Sequence, residues 1–562
     1  MEKRLLLAVL LTVLVVVITP KLLPRRPVAV LPDSTALSTG GPDTTPRPQT
    51  NRADTIAAPR RIGAGGSFFT LTDTAAFRIP AETSSAATTV ATYTFSNVGA
   101  TPVGVQLHQY RDLGPGDGPV QLVRPGVPLL AYRLVMGVDT VPLESVRFTA
   151  NRSTGAPATS AAGGAPLTFE AMLDSLTVAI TYDFVPNSYL VHVTGSVRGR
   201  VPPGSAVEVL MPRGLRSQEA DTADDRTHRA FVLKPTDDDV ESIAFNKLDT
   251  AQVRVDTGSY SWMATRNKYF IAVLLAHDAQ PPFRMVGMRA WAPVGRQIGA
   301  ADGMVLQPLD RNGAFGFDLY AGPQEWRRLR ALGHELEHAN PYGSFLRPIV
   351  EPFANVVMRV LLWMHERFSL NYGWVVVIFG VVIRLLLWPL NQKSMRANIR
   401  MQQIQPELQE IQRKYKKQPE KQQAEMMKLY QKHGMSPFSM FSGCLPMLLP
   451  MPILFALYFV FLNTIEFRGV PFLWMTDISQ RDPYWITPIA MGLSMFVMSW
   501  IGLRAAPKNP QSRMMAYVMP VAMTAIFWRF AAGLNLYYAV QNIAAIPQQW
   551  ILARERQKVA SK

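Results

Sequence analysis

The sequence predicts a membrane protein in which an α-helical bundle of six transmembrane spans is joined to a large antiparallel β-sandwich. Apolar stretches of bilayer-crossing length recur in the C-terminal part of the chain, whereas residues 67–343 show short apolar–polar alternations broken by Gly, Pro, Asn and Asp. Residues 344–562 hold 24 Lys and Arg against 10 Asp and Glu, which is +14 of the net +16. Basic charge beside apolar spans is typical of the cytoplasmic loops of membrane proteins, and specific nucleic-acid binding would not explain the spans. The single cysteine, Cys444, excludes an intrachain disulfide framework.

The N-terminal residues 1–23 predict a transmembrane anchor. Leu5–Ile18 is an apolar run behind Lys3 and Arg4, a pattern that anchors share with signal peptides. The residues after the run lack the small side chains of a cleavage site, which favours an uncleaved anchor. Residues 24–66 are rich in Pro, Thr, Ser, Gly and Asp and predict a flexible linker.

Residues 67–343 predict the β-sandwich, with a helix at its C-terminal end. Half-buried strands at short spacing, such as Leu176–Tyr182 and Phe270–Leu275, are typical of antiparallel sandwiches. The helix covers Pro323–Ala339 and is stopped by the Asn-Pro pair that follows. No catalytic constellation stands out in this domain, so we expect it to serve as a scaffold or docking module.

Residues 344–369 predict an amphipathic helix that lies in the membrane interface. Its apolar side chains recur at spacings of 3 and 4 and share one helix face: Phe345, Ile349, Phe353, Val356, Val360 and Met364. Arg347, Arg359 and Arg367 lie on the remaining surface, as in interfacial helices. A helix packed on the sandwich is the alternative, since amphipathicity alone does not choose between the two.

Five further apolar stretches of 17 to 19 residues complete the six spans. They are Trp374–Leu390, Leu445–Leu462, Ile486–Leu503, Met514–Phe530 and Leu534–Leu552. Basic residues concentrate in 391–440, in 504–513 and in the tail 553–562, whereas the loop 463–485 holds two basic and three acidic residues. The positive-inside rule therefore predicts cytoplasmic termini and a sandwich on the opposite side of the membrane.

Arg384 is the strongest candidate for a functional residue because it interrupts an otherwise apolar span. At 1.5 Å per residue it lies about 9 Å from the cytoplasmic end and about 15 Å from the outer end, within the inner leaflet. A guanidinium in hydrocarbon needs a carboxylate partner or water, and the other spans contain no Asp or Glu. We therefore expect a hydrated cavity, which the last span could line with Asn535, Tyr537, Tyr538, Gln541 and Asn542. An arginine that snorkels to nearby headgroups is the alternative.

Methionine is concentrated in the spans, since 18 of the 26 Met lie in 344–562. Unbranched, polarizable side chains adapt to varied apolar partners, although Met also serves as filler between packed helices. The residues that we expect to contact an apolar guest are Met447, Met451, Phe455, Met523 and Ile526. The predicted spans contain no carboxylate, and the sequence has no phosphate-binding G-x-x-x-x-G-K-[ST] motif. The sequence therefore does not support transport coupled to an ion gradient or driven by ATP hydrolysis.

Residues 391–434 predict a basic helical hairpin in the cytoplasm, with a break at Pro419. Its docking candidates are Arg413, Lys414, Lys416 and Lys417. A ribosome, a targeting factor or anionic lipid could bind there, and a solvated positive-inside loop is the alternative.

A second class of function, a membrane-anchored zinc metalloprotease, is suggested by a short motif. His334, Glu335 and His338 fit H-E-x-x-H, in which two histidines on one helix face bind zinc and the glutamate activates water. Gly333 precedes the motif, the helix ends almost at once, and no third ligand stands out beyond Glu351 or Glu366. A solvated helix end is therefore the favoured interpretation.

The membrane half resembles the YidC/Oxa family of membrane protein insertases, in particular those of double-membraned bacteria. The resemblance rests on ordered motifs across about 370–552: Arg384 with Trp388-Pro389-Leu390, Met401-Gln402-Gln403-Ile404-Gln405-Pro406, Gly443-Cys444-Leu445-Pro446, Met451-Pro452-Ile453, Asp482-Pro483-Tyr484 and Gly533-Leu534-Asn535-Leu536-Tyr537-Tyr538. It implies an insertase core of five helices over 370–552, with a hydrophilic groove around Arg384. It also implies a periplasmic sandwich, a bacterial inner-membrane location and nascent membrane proteins as clients.

The resemblance further implies that the protein is a chaperone rather than an enzyme. It implies insertion without nucleotide or other cofactor, alone or beside the Sec translocon. Gly380 and Pro450 stand where some relatives have polar groove residues, so this groove is expected to depend more on the last span.

Overall fold

The computed structural model describes residues 82–560 with gaps at 115, 117, 153–164, 174–175, 278–279, 292–297, 341, 343–346, 390, 393–403, 405–406, 409, 417, 433–450 and 505–509. The predicted anchor 1–23 and linker 24–66 lie outside these residues.

The described part of the N-terminal half forms two antiparallel sheets, as the alternating pattern predicts. The first sheet has the order β1-β2-β3-β4 and consists of β1 (Thr83–Ala87), β2 (Ala91–Ser96), β3 (Thr101–Arg111) and β4 (Pro119–Gln121). The second has fourteen strands: β5 (Ala131–Met136), β6 (Asp139–Pro142), β7 (Thr149–Arg152), β8 (Leu167–Leu173), β9 (Leu176–Phe184), β10 (Leu190–Gly199), β11 (Ala206–Met211), β12 (Ala230–Pro235), β13 (Glu241–Ala244), β14 (Arg254–Arg266), β15 (Phe270–Ala276), β16 (Phe283–Ala290), β17 (Ala301–Pro308) and β18 (Ala314–Pro323).

The large sheet folds back on itself, so one continuous sheet supplies both layers of the sandwich. Its order is β6-β5-β11-β17-β16-β14-β15-β18-β10-β9-β8-β7, with β12 and β13 branching from β14. Tyr132 on β5 and Tyr182 on β9 lie eight strands apart in this order, yet their hydroxyl oxygens are 2.7 Å apart in the core. The ring centroid of Phe95 in the small sheet lies 4.5 Å from that of Tyr182, so the small sheet shares the same core.

Nine helices accompany the sheets in the described residues. They are α1 (Thr222–Thr227), α2 (Trp326–Leu332), α3 (Arg347–Phe368), α4 (Tyr372–Leu386), α5 (Pro419–Lys432), α6 (Met451–Asn463), α7 (Ile486–Arg504), α8 (Pro510–Phe527) and α9 (Ala532–Ala560). A second hydrophobic core joins α3, α4, α6 and α9 with the loop after α6.

Helix α3 has apolar surface on two sides. Ala354, Met358 and Leu361 are buried in the helical core, whereas Phe353 and Val356, from the predicted apolar face, are exposed. The chain then bends by 119° between α3 and α4. This bend would let α3 lie along a membrane surface if α4 crosses the membrane, and that placement stays a prediction.

Only some of the described helices are both long and apolar enough to be candidate membrane spans. Ile486–Leu503 in α7 is long and apolar enough to cross a bilayer alone, and the bent pair α3–α4 counts as a second span if it is taken as one unit. The apolar parts of α6 and α8 are the shorter segments Ile453–Asn463 and Ala516–Phe527. Six spans therefore stay a prediction of the sequence.

Candidate functional site

Helices α4 and α9 pack closely because α4 has a glycine at their contact. A Cβ on Gly380 would lie 3.3 Å from Val540 and 3.4 Å from the ring of Tyr537. One residue earlier, the ring of Phe379 lies 6.0 Å from that of Tyr537. The small residue thus brings the polar side chains of α9 next to α4.

Arg384 lies one turn after this contact and is held by a glutamine of α9. Its Nη2 donates a hydrogen bond of 2.8 Å to Oε1 of Gln548. The Nε2 of Gln548 donates in turn to the backbone carbonyl of Trp388, at 3.0 Å. Gln548 is almost fully buried. The guanidinium therefore points toward the C-terminal end of α4, where a neutral amide holds it.

The positive charge of Arg384 is not neutralised within the described residues, where no carboxylate forms an ion pair with it. Its Nε is buried and has no hydrogen-bond partner there. A partly buried cation with spare donor capacity attracts an anion or a polar group. The position of this charge in the inner leaflet of a membrane stays a prediction.

The five polar residues predicted to line the cavity fall on two faces of α9. Tyr537 and Gln541 lie toward α4, and the amide of Gln541 donates to the Tyr537 hydroxyl at 2.6 Å. Asn535 and Asn542 point elsewhere: Asn535 donates to the carbonyl of Phe527 at 3.0 Å, and Asn542 donates to the Ser494 hydroxyl of α7 at 3.2 Å.

Tyr538 also faces away from α4, because its ring packs 5.4 Å from that of Phe527 on α8. Asn535, Tyr538 and Asn542 follow one another at spacings of 3 and 4 and share one helix face. These three residues join α9 to α7 and α8, whereas Tyr537 and Gln541 share the face of Arg384. Which of the five residues line a groove stays a prediction.

The residue missing from the predicted set is Gln548. It follows Gln541 by seven residues, two helical turns, and so continues the face of Tyr537 and Gln541. The helical spacing of polar residues along the last span could have found it. We call Arg384, Tyr537, Gln541 and Gln548 the polar seam.

The residues predicted to contact an apolar guest are described only in part. Met447 lies outside the described residues, and nothing is described for the side chain of Met451 at the start of α6. Phe455 and Met523 are half-buried, while Ile526 is exposed on α8.

Residues 391–434, which the sequence predicts to be a cytoplasmic helical hairpin, contain a small hydrophobic cluster of their own. Ile404, Leu408, Leu429 and Tyr430 are buried together, and residues 410–414 are helical. Of the docking candidates, Arg413, Lys414 and Lys416 are exposed, and Lys417 lies outside the described residues. The basic surface is therefore accessible.

The residues of the H-E-x-x-H motif do not lie on one helix, so the zinc-protease alternative lacks the geometry that it requires, and the helix predicted over Pro323–Ala339 was wrong in its extent. Helix α2 ends at Leu332, and Gly333, His334 and Glu335 all have positive φ, of 77°, 53° and 60°. The helix breaks because Gly333 forms its C-terminal cap. His334 and His338 therefore do not share one helix face.

The three motif side chains or their backbones already have partners. The carbonyl of His334 accepts from the Trp262 indole at 2.8 Å, and Glu335 pairs with Lys234 at 3.1 Å. His338 Nδ1 lies 2.5 Å from Glu351 Oε1. This hydrogen bond raises the pKa of His338. His338 therefore forms an ion pair with Glu351, whereas zinc binding would need both histidines of the motif to be neutral.

One other trio in the described residues has metal-ligating side chains. Candidate ligand atoms of His192, His277 and Asp318 lie within 4.8 Å of one another. His192 and Asp318 are on the paired strands β10 and β18, and His277 directly follows β15. His192 Nδ1 lies 2.6 Å from Asp318 Oδ1, so this pair is satisfied without a metal.

An antiparallel β domain attached to apolar helices, with a partly buried arginine at a helix contact, is typical of a membrane-associated protein with polar side chains between its helices. Two family comparisons agree with this class. Residues 85–356 match the family described as the YidC periplasmic domain, and residues 363–559 match the family described as 60Kd inner membrane protein.

Curated relatives carry the identification further. The chain is 32% identical over 396 residues to "Membrane protein insertase YidC" of Anaeromyxobacter sp. (strain Fw109-5), covering 69% of this chain and 68% of that protein. It is 36% identical over 301 residues to the insertase of Anaeromyxobacter dehalogenans (strain 2CP-1 / ATCC BAA-258), covering 53% of each. A solved structure titled "Active YidC insertase crystal structure with the first transmembrane domain resolved" matches at 17% identity and a TM-score of 0.33, covering 83% of this chain and 92% of that one. The chain belongs to the YidC family of membrane protein insertases.

Proposed function

We propose that this protein inserts nascent proteins into the bacterial inner membrane and that the polar seam receives a polar segment of the client. The observation that carries the proposal is the bonding of Arg384, whose guanidinium has a neutral glutamine as its hydrogen-bond partner and a buried Nε with spare donor capacity. A cation in this state stabilises an acidic or polar guest that must cross hydrocarbon.

In the first step, the acidic tail or loop of a client enters from the cytoplasmic side and displaces water around Arg384. The guest's carboxylate or carbonyl oxygen accepts hydrogen bonds from the guanidinium, and the Gln541 amide and Tyr537 hydroxyl offer further polar groups. Holding the segment part-way across the membrane shortens its remaining path through hydrocarbon. This lowers the barrier without a covalent step.

In the second step, the client's apolar segment moves along α6 and α8 into lipid. The exposed residues of α8 include Val518, Val521 and Ile526, so its surface resembles the lipid that the segment will enter. Transfer of the segment from water releases about 25 cal/mol for each Å² of apolar surface buried. This transfer supplies the driving force, and no nucleotide is required.

The proposed orientation has the exposed basic residues Arg413, Lys414 and Lys416 in the cytoplasm and the β domain in the periplasm. The basic hairpin then faces the anionic headgroups, whose negative charge attracts it, and is placed to meet ribosomes and targeting factors. The Sec translocon is a proposed partner for clients with large periplasmic domains.

The test uses proteoliposomes and a single-span client with a short acidic tail. Protease is added outside, and the protected client fragment is measured for the intact protein, for Arg384→Ala and for Arg384→Lys. We expect Arg384→Ala to lower the protected fraction about tenfold and Arg384→Lys to retain part of it, because the lysine keeps the charge but loses the planar donor set.

Ile543→Ala is the matched control, since Ile543 is exposed on α9 and carries no polar group. Equal protection with the intact protein and with Arg384→Ala would refute the role of the charge. An absence of protected client with the intact protein would refute insertion by this chain alone.

A further inference from the structure

A charged cavity lies between the β domain, the C-terminal end of α6 and the N-terminal end of α9, at the end of the helical core away from Arg384. Its volume is about 490 Å³. The β domain contributes Asp221, Asp224, His228 and Lys268, and the loop after α6 contributes Arg481. The turn between α8 and α9 contributes Arg529.

The charges in this cavity do not balance. The Lys268 ammonium is buried and pairs with Asp224 at 2.8 Å, while Arg481 lies 3.6 Å from Asp221. Arg529 is exposed and forms no ion pair with any described residue. Three cations against two carboxylates leave one positive charge, at Arg529.

The histidine of the cavity adds no charge near neutral pH. The Nδ1 of His228 lies 2.9 Å from the backbone carbonyl of Asp224 and donates to it. Burial lowers the pKa of His228, against the opposing pull of Asp224. The surplus therefore belongs to the arginines alone.

The lower wall of the cavity is apolar and aromatic. Tyr458, Phe461, Phe530 and Leu534 line it, and the rings of Tyr458 and Phe530 lie 5.3 Å apart. Next to Arg529 the exposed Trp528 pairs with Trp485 at 5.1 Å. Exposed tryptophans collect at the headgroup level of membranes. A cation next to an apolar wall at that level suits a phospholipid, whose phosphate would lie at the cation and whose acyl chains would lie deeper, along the wall.

We propose that this cavity binds the phosphate of an anionic phospholipid from the outer leaflet. The Arg529 guanidinium donates to the phosphate oxygens, Arg481 supplies a second cation, and the aromatic wall packs against the glycerol and the start of the acyl chains. The bound lipid would fill the space between the β domain and the helices. This inference rests on the proposed membrane placement of the core but not on the polar seam.

The test is native mass spectrometry of the full-length protein, freed of lipid in detergent and titrated with dioleoylphosphatidylglycerol. We expect saturable binding that Arg529→Gln weakens about tenfold, the loss of one charge-assisted contact. Arg284→Gln is the matched control because it removes the same charge from an exposed position on β16, and it should leave binding unchanged. Thermal unfolding of both variants checks that they are folded.

Two further arms separate the sources of the phosphate. Inorganic phosphate should bind far more weakly than the lipid, since it gains nothing from the aromatic wall, and dioleoylphosphatidylcholine should bind more weakly because it has no net charge. Equal binding of phosphatidylglycerol by Arg529→Gln and the intact protein would overturn the proposal, as would binding of inorganic phosphate as tight as that of the lipid. Insertion is measured separately, with the Arg384 variants. A result that refutes the role of the polar seam in insertion would therefore leave the lipid-binding result unchanged.

Discussion

The hydrogen bond between Arg384 and Gln548 makes a quantitative prediction about the stability of the helical core. Gln548→Ala removes the acceptor of the guanidinium and the donor to the Trp388 carbonyl. Neutral hydrogen bonds between membrane helices contribute about 0.6 kcal/mol on average, and bonds to charged groups contribute about 1.5–3 kcal/mol in proteins generally. We therefore expect a coupling free energy of about 1.5 kcal/mol between Arg384→Ala and Gln548→Ala.

The assay is a double-mutant cycle on the free energy of unfolding, measured in detergent from tryptophan fluorescence. The control cycle pairs Arg384→Ala with Ile543→Ala, an exposed position on the same helix, and should be additive. A coupling energy below about 0.3 kcal/mol for the glutamine pair would refute the hydrogen bond as the group that holds Arg384, because two groups in contact should couple by more.

Three further predictions concern other parts of the fold. Burial raises the pKa of Glu208 to about 7 from 4.5, so its contribution to the stability of the folded state is fully present below pH 4.5 and is lost as the pH rises through 7. Glu208→Gln should therefore flatten the fall in unfolding temperature between pH 5 and 8. An unchanged slope would contradict this prediction. A Cβ on Gly492 would lie 1.9 Å from Oγ1 of Thr524, so Gly492→Ala should destabilise the protein by about 1–3 kcal/mol, with partial rescue by Thr524→Ala in the same thermal assay. Arg468 pairs with Glu219 at 2.7 Å with both side chains buried, and burial raises the pKa of Glu219 to about 7 despite Arg468. Arg468→Ala should therefore lower the free energy of unfolding by about 3–5 kcal/mol at pH 8 and by less at pH 6, where Glu219 takes up a proton. An equal loss at both pH values would contradict this, because it would mean that the protonation state of Glu219 does not change between them.

The sequence was most informative where local chemistry decides the structure. Alternating strands between Leu176 and Phe184 and the apolar run around Arg384 appear where the periodicity predicts them, because burial of one face or of a whole helix is a local property. The partner of Arg384 lies 164 residues further along the chain. Only the packing of α9 on α4, permitted by Gly380, selects Gln548 over the other polar residues of that helix.

Non-local pairing explains the other differences. A strand pattern does not encode which strands are neighbours, so the folding of one fourteen-stranded sheet into both layers was not predictable.

The H-E-x-x-H motif failed for a local reason that the sequence did contain, since Gly333 precedes it and ends the helix. The same flanking residues are the reason that the sequence favoured a solvated helix end over a zinc site.

The central claim is that a client's polar segment lies against the polar seam during insertion. A photo-crosslinking residue at Gln541, on the seam, is compared with one at Ile543, on the exposed face of the same helix, using a client stalled with its acidic tail part-way across the membrane. The account predicts crosslinks to the tail from position 541 and few from position 543, with the 541 crosslinks lost in Arg384→Ala. Crosslinks to the tail from position 543 alone, or a pattern that Arg384→Ala leaves unchanged, would contradict it.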